Sequence, residues 1–84
     1  MMYPYLTYPD YTEVTYSDIQ KDGTVKVYIE RPNKDGDFDS AECILPDEEL
    51  KNVKGFSLFD KAFLEEMISD NKNTIMDFAA NGGV

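Results

Sequence analysis

Side chains with oxygen atoms alternate along a short stretch near the middle of this chain. They occupy every second position in and after a glycine-containing loop: Asn33, Asp35, Asp37 and Asp39. Clustered oxygens are the ligands that a hard cation such as Ca²⁺ prefers. The EF-hand pattern is not met, because placing Gly36 at its sixth position puts Arg31 where the first carboxylate is required. We therefore expect a solvated turn and no metal site.

Catalytic chemistry lacks its usual partners in this sequence. General acid–base catalysis needs two carboxylates in different environments within a pocket. Glutamates are present on the expected strands and helix, but the chain contains no histidine, and no glycine-rich phosphate loop accompanies them. Because none of the roles of an active site can be filled, we expect a protein that is not an enzyme and that holds no cofactor.

Seven carboxylates follow one another without an intervening cation. Residues 35 to 50 contain no Lys or Arg and include Asp35, Asp37, Asp39, Glu42, Asp47, Glu48 and Glu49. Alternate residues of a strand lie about 6 to 7 Å apart, so this acidic stretch could present regularly spaced negative charge. Such a row could imitate a nucleic-acid backbone and bind a basic DNA- or RNA-binding protein. The alternative is an acidic surface that keeps a small protein soluble.

The charge balance of the whole chain indicates which classes of partner are favoured. Seventeen Asp and Glu against eight Lys and Arg give 84 residues a formal charge of −9. This charge disfavours nucleic acid and anionic membrane surfaces as direct partners, and it favours a basic protein. The single cysteine, Cys43, has no internal disulfide partner, and the N-terminus lacks the basic and apolar regions of a signal peptide. We expect a cytoplasmic protein with a buried, reduced thiol.

The elements that position these side chains begin with a strand at Val25 to Arg31, which alternates apolar and polar residues without interruption. The preceding Asp22-Gly23 is typical of a hairpin. A two-residue loop would mix charge with core on both faces. A three-residue loop with Gly23 in the left-handed position pairs Tyr16 with Tyr28, and we predict this register.

Phe38 to Leu45 predicts the third strand of a meander. Pairing Arg31 with Asp39 gives one apolar face, which contains Val25, Val27, Ile29, Ala41, Cys43 and Leu45. The opposite face then carries four apolar residues among charged ones: Val14, Tyr16, Tyr28 and Ile44. We predict these four as an interface with a protein partner, and a second copy of the chain is one candidate.

The second half of the chain predicts helices. Asp47 as a cap predicts a short helix or a 3₁₀ turn over 47–53, and Ser57 with Asp60 predicts a C-terminal helix over 57–80. Its predicted apolar stripe, facing the sheet, contains Phe59, Phe63, Leu64, Met67, Ile68, Ile75, Phe78 and Ala79. Asn71 falls within the stripe and is either a hydrogen-bonded buried residue or a helix break. We favour one continuous helix.

The predicted fold is thus α+β, with a three-stranded antiparallel meander over 12–45 and the long helix packed on one face. Residues 1–11 contain two prolines and four of the six tyrosines, which predicts an extended arm. The arm lies either on its own domain or on a partner. No repeat or linker divides the chain, so we expect a single domain over 1–84.

Four blocks placed on these elements carry a resemblance: 27–32, 38–46, 55–57 and 78–83. Together they resemble a group of short, acidic, uncharacterised bacterial proteins that often occur in mobile or accessory gene neighbourhoods. The resemblance covers roughly residues 3 to 83 and contains no catalytic signature. It implies a bacterial origin and no assigned activity, so it assigns no functional residue. The sequence as a whole favours a small protein–protein interaction module.

Overall fold

The structure, a computed structural model, describes residues 1–83. It contains the strands β1 Met2–Thr7, β2 Glu13–Ser17, β3 Val25–Pro32, β4 Phe38–Leu45 and β5 Lys51–Lys54, and the helix α1 Leu58–Ala80. The strands form one antiparallel sheet in the order β1-β2-β3-β4-β5. The α+β class and the long C-terminal helix are confirmed. The sheet has five strands, so the prediction of three was wrong.

The first additional strand comes from the predicted arm. β1 pairs with β2, and the pairing places Tyr3 opposite Tyr16 and Pro4 opposite Thr15. Proline is tolerated in β1 because this strand forms an edge of the sheet. The arm therefore lies on its own domain.

The second additional strand, β5, replaces the short helix predicted over 47–53. Asp47 does not cap a helix. Its Oδ1 accepts a hydrogen bond from the backbone N–H of Glu49 at 3.1 Å, as in an Asx turn, but no helix follows. Asn52 has a positive φ of 52°, which a right-handed helix excludes. Leu50, between the two, is buried in the core.

The β2–β3 hairpin has the predicted loop but not the predicted register. Gly23 has a φ of 82°, and the backbone N–H of Gln20 donates to the carbonyl of Thr24 at 2.8 Å. Further along, Tyr16 lies opposite Val27 and not opposite Tyr28. β2 has one more residue than β3 between these two positions, which is the geometry of a β-bulge. Because of this shift of one residue, the β2 side chains that precede the bulge in sequence lie on the opposite face of the sheet from the predicted one.

The β3–β4 register is confirmed at every predicted pair, including Arg31 opposite Asp39. The predicted apolar face is buried, and the shifted β2 adds Val14 and Tyr16 to it. The core thus lies between one face of the sheet and α1. No element within residues 1–83 covers the other face in the same way.

The start and continuity of α1 agree with the sequence. Ser57 caps the helix: its Oγ accepts from the N–H of Asp60 at 3.0 Å, and the Asp60 carboxylate accepts from the N–H of Ser57 at 3.2 Å. Asn71 does not break the helix. Its Nδ2 donates to the Met67 carbonyl at 2.8 Å, and its Oδ1 accepts from the Tyr5 hydroxyl at 2.6 Å. Asn71 therefore anchors β1 to α1.

Candidate functional site

The first two turns of α1 expose large apolar side chains. Leu58 is 86% exposed, Phe59 is 84% exposed and Phe63 is 51% exposed. We call these three residues the helix-start patch. The sequence placed Phe59 and Phe63 in the stripe that faces the sheet, and that placement was wrong. The buried part of the stripe contains Leu64, Met67, Ile68, Ile75 and Ala79.

Helix geometry explains why the stripe is narrower than predicted. At 3.6 residues per turn, Phe59 lies about 140° around the axis from Leu64, so it cannot face the sheet together with Leu64. The capping box at Ser57 fixes the helix start and satisfies a backbone N–H group of the first turn. The helix-start patch is therefore an ordered apolar surface of the folded protein.

A groove runs beside this patch, between α1 and the loop that connects β1 to β2. The rings of Tyr8 and Phe63 lie edge to face across it, with centroids 5.7 Å apart. This pair separates two hollows of about 290 and 260 Å³. The larger hollow is lined by Tyr8, Pro9, Asp10, Thr12, Arg31, Phe56, Asp60, Phe63 and Leu64. The smaller is lined by Tyr8, Phe63, Glu66, Met67, Asp70 and Asn71.

Arg31 joins the elements that form the larger hollow. Its guanidinium lies 2.8 Å from Asp39 on β4, 3.4 Å from Asp60 on α1 and 4.0 Å from Asp10 in the β1–β2 loop. The same group stacks over the ring of Phe56, 4.7 Å from its centroid. One cation thus positions a strand, a helix and a loop around the hollow.

The carboxylates around Arg31 are held in their charged form. Hydrogen bonds from Arg31 and then Asn33 lower the pKa of Asp39. The backbone N–H of Ser57 is the main cause of the lowered pKa of Asp60, and Thr12 is the main cause of the lowered pKa of Asp10. Three carboxylates share one guanidinium, so this part of the groove carries an excess of negative charge.

The structure does not bring together the four residues predicted as an interface. Val14 and Tyr16 are 0% and 1% exposed and lie in the core, because of the register shift in β2. Tyr16 packs against the ring of Tyr3, with centroids 5.6 Å apart. Tyr28 and Ile44 are half-buried on the opposite face of the sheet. The expected outer-face patch of four apolar residues is therefore not present.

The acidic stretch is spread along the molecule. Asp35 and Asp37 lie in the β3–β4 turn, while Asp47, Glu48 and Glu49 follow the other end of β4. β4 has eight residues, so these two groups are separated by about 26 Å. Between them, Asp39 and Glu42 point to opposite faces of the sheet, because their positions differ by an odd number.

Basic side chains pair with much of this acidic stretch. Lys54 lies 3.3 Å from Asp37, Lys26 lies 3.0 Å from Glu42 and Lys72 lies 2.8 Å from Glu48. Asn52 also donates to Glu42. The pairs come from β3, β5 and α1, so the local absence of Lys and Arg in the sequence does not persist in the fold. The exposed carboxylates of the stretch without such a pair are Asp35 and Glu49.

Cys43 and the metal-ligating residue types form no further site. The Cys43 thiol is buried and donates to the carbonyl of Asp47 at 2.9 Å, and burial raises its pKa to about 11. A thiol with this pKa is a poor nucleophile at neutral pH. Within residues 1–83, His, Cys, Asp and Glu side chains nowhere gather in threes as ligands of a metal ion. The same residues include no helix of the length and hydropathy that crossing a membrane requires.

Sequence reasoning missed the groove because its residues come from distant parts of the chain. Tyr8 and Asp10 belong to the predicted arm, Arg31 to the central strand, and Phe63 to the helix. One signal was present: a helical wheel centred on Leu64 places Phe59 outside the core-facing stripe.

Comparisons with protein-family models, curated protein sequences and solved structures found no match to this chain.

Proposed function

We propose that this protein is a small, non-enzymatic protein-binding module and that the helix-start patch with its adjoining groove is the binding surface. The observation that carries the proposal is the exposure of Leu58 and Phe59, 86% and 84%, on an ordered and capped helix. Full burial of such a side chain stabilises by about 1.5 to 3 kcal/mol, and the fold leaves this gain unused. A bound protein would recover it.

Several features support binding over catalysis. The groove contains an arginine, but its charge is already shared by Asp39, Asp60 and Asp10. The carboxylates in the larger hollow have lowered pKa values, the opposite of what a general acid at neutral pH needs. The larger hollow is lined by aromatic residues and an arginine, the residue types that are enriched at protein interfaces.

The proposal includes the cytoplasm as the compartment, since Cys43 is a free, buried thiol. A bacterial origin stays a prediction of the sequence resemblance. Nucleic-acid mimicry has weaker support than a protein-binding surface of this kind, because basic side chains pair with Asp37, Glu42 and Glu48.

The experiment is affinity capture from the native host with two matched variants. Leu58→Ser/Phe59→Ser removes the two most exposed apolar groups of the patch, while Ile19→Ser/Phe38→Ser removes partly exposed apolar groups elsewhere. We expect a protein that the wild type and the control retain at low and moderate salt, and that the patch variant loses. Circular dichroism should show all three chains folded. Capture of the same proteins by both variants, or of none by the wild type, would contradict the proposal.

A further inference from the structure

We infer that the partner contributes a short basic amphipathic helix, which lies along the groove beside α1. This inference rests on the proposed function and names the chemistry of the partner. It depends on three properties of the groove: its charge, its apolar relief and the hydrogen-bonding state of its backbone.

The charge of the groove calls for a cationic ligand. Its two hollows are lined by four carboxylates, which belong to Asp10, Asp60, Glu66 and Asp70. Arg31 is the one cation among the lining residues of these two hollows, and Asp39 also shares it. Concave surfaces lined by one sign of charge concentrate the field and attract the opposite charge. Asp10 and Asp60 already pair with Arg31, whereas Glu66 and Asp70 form no ion pair within residues 1–83, so Lys or Arg side chains of a partner would meet two unpaired carboxylates.

The apolar relief calls for hydrophobic side chains on the same ligand. The Tyr8–Phe63 pair forms a ridge between the hollows, and Phe56 and Leu64 line the larger one. Asp60 and Asp70 are ten residues apart on α1, so the acidic groups extend along about 15 Å of the helix. An amphipathic helix of three turns has about this length and carries apolar and basic side chains on adjacent faces.

The backbone around the groove favours a helix over an extended strand. Between its terminal turns α1 satisfies its own N–H and C=O groups, and the β1–β2 loop is closed by a bond from the Tyr8 N–H to the Thr12 carbonyl at 2.8 Å. An extended ligand would leave its main-chain groups without partners here. A helical ligand satisfies them internally.

Charge also argues against a second copy of this chain as the occupant. A symmetric dimer would bring each surface against itself, and so would place acidic groups such as Glu66 and Asp70 of the two copies near one another. The formal charge of −9 on each chain adds to this repulsion. With a basic partner, both the local interaction at the groove and the interaction between the net charges become attractive.

The test uses three fluorescein-labelled peptides of about 14 residues, a length of about 21 Å as a helix. The first is an amphipathic peptide of Leu, Ala and Lys. The second replaces every Lys by Glu, and the third replaces every Leu by Ser. Fluorescence anisotropy with the full chain should show binding of the first peptide only, weakened at high salt.

Matched variants locate the binding site. Glu66→Gln/Asp70→Asn neutralises two groove carboxylates, and Asp35→Asn/Glu49→Gln neutralises two exposed carboxylates outside it. Both pairs change the net charge equally. We expect the groove variant to weaken the first peptide about three- to tenfold, as two exposed ion pairs would, and the control to leave affinity within about twofold.

The remaining outcomes overturn the inference in distinguishable ways. Equal weakening by both variants would mean that net charge and not the groove attracts the peptide. Equal binding of the Glu-containing peptide would mean that the partner is not basic, and the protein-binding proposal would then still stand on the capture experiment. A wild-type dimer by light scattering that Leu58→Ser/Phe59→Ser converts to monomer would identify a second copy as the occupant.

Discussion

Arg31 holds together the elements at the end of the molecule that contains the groove. Its side chain is only 24% exposed, and its three carboxylate partners come from three different elements. Asp39 is less exposed still, and it also accepts a hydrogen bond from Asn33 at 3.2 Å. Breaking an ion pair of this kind costs more stability than breaking an exposed pair, because removing one member leaves a desolvated charge.

The first prediction concerns the loss of this cation. Arg31→Met should lower the free energy of unfolding by about 2 kcal/mol, since Asp39 is left poorly solvated and unpaired. Lys26→Met is the matched control: Lys26 pairs with Glu42 at 3.0 Å but is 48% exposed, so its loss should cost about 0.5 kcal/mol. Urea denaturation at neutral pH measures both. Equal losses in the two variants would contradict a special role for Arg31.

The second prediction concerns acid. The folded-state pKa values of Asp10, Asp39 and Asp60 are lowered, so the unfolded chain takes up protons first as the pH falls. Their contribution to stability is therefore complete above the ordinary aspartate pKa, about 3.9, and is lost as the pH falls below it. Urea midpoints measured between neutral pH and pH 3 should decrease most steeply as the pH falls below this ordinary aspartate pKa.

Asp39→Asn provides the control for this acid dependence. The variant should be less stable than the wild type at neutral pH, because its amide cannot pair with the Arg31 guanidinium as a carboxylate does. It should also lose less stability on acidification, since one group with a lowered pKa is gone. Parallel pH profiles of the two proteins would exclude Asp39 from the acid response.

At the scale of elements, the connection between β5 and α1 depends on the close approach of a glycine. Gly55 has a φ of 84°, and a Cβ built on it would overlap the carboxylate of Asp39. The sequence alone shows only a glycine after a lysine-containing run. The structure uses it to bring the end of β5 against the Arg31–Asp39 pair.

The third prediction follows from this approach. Gly55→Ala should cost about 2 kcal/mol or more of stability, because it combines backbone strain at positive φ with displacement of Asp39. Gly36→Ala is the matched control: Gly36 has a φ of 76° but open space around its Cα, so only the strain, about 1 kcal/mol, applies. Thermal and urea unfolding of both variants give the comparison. Equal losses for Gly55→Ala and Gly36→Ala would mean that Asp39 moves away without cost.

The elements also show where sequence reasoning succeeds and where it does not. The β3–β4 register and the start of α1 follow from local patterns, an alternation and a capping box, and both are found. The β2–β3 register depends on a bulge after Tyr16, which no local pattern marks. That one residue moved Val14 and Tyr16 from the expected outer surface into the core, and with them the expected interface.

At the scale of the whole molecule, the candidate site was harder to predict than the fold. The core requires only that apolar faces meet, and the alternation of apolar and polar residues in β3 and β4 indicates which faces these are. The groove requires the β1–β2 loop, Arg31 and the start of α1 to converge, and this follows from the sheet order. Because β1 was expected as an arm and not as a strand, Tyr8 and Asp10 had no predicted position.

The final prediction separates residues that stabilise the fold from those left free to bind. Phe59 and Phe78 both belong to the apolar stripe expected from the sequence, but only Phe78 packs against the core, with its ring 6.1 Å from Tyr5 and 6.4 Å from Tyr16. Phe78→Ser should lower the free energy of unfolding by about 2 kcal/mol, less than for a fully buried ring because Phe78 is 36% exposed.

Phe59→Ser should change this free energy by less than about 0.5 kcal/mol, since its ring is 84% exposed and loses almost no packing. Urea denaturation of the two variants under the same conditions gives the comparison. A loss at Phe59 as large as that at Phe78 would place Phe59 in the core in solution, and the helix-start patch would then offer no free surface to a partner. An unchanged stability means that loss of capture by Leu58→Ser/Phe59→Ser does not result from unfolding caused by the Phe59 substitution.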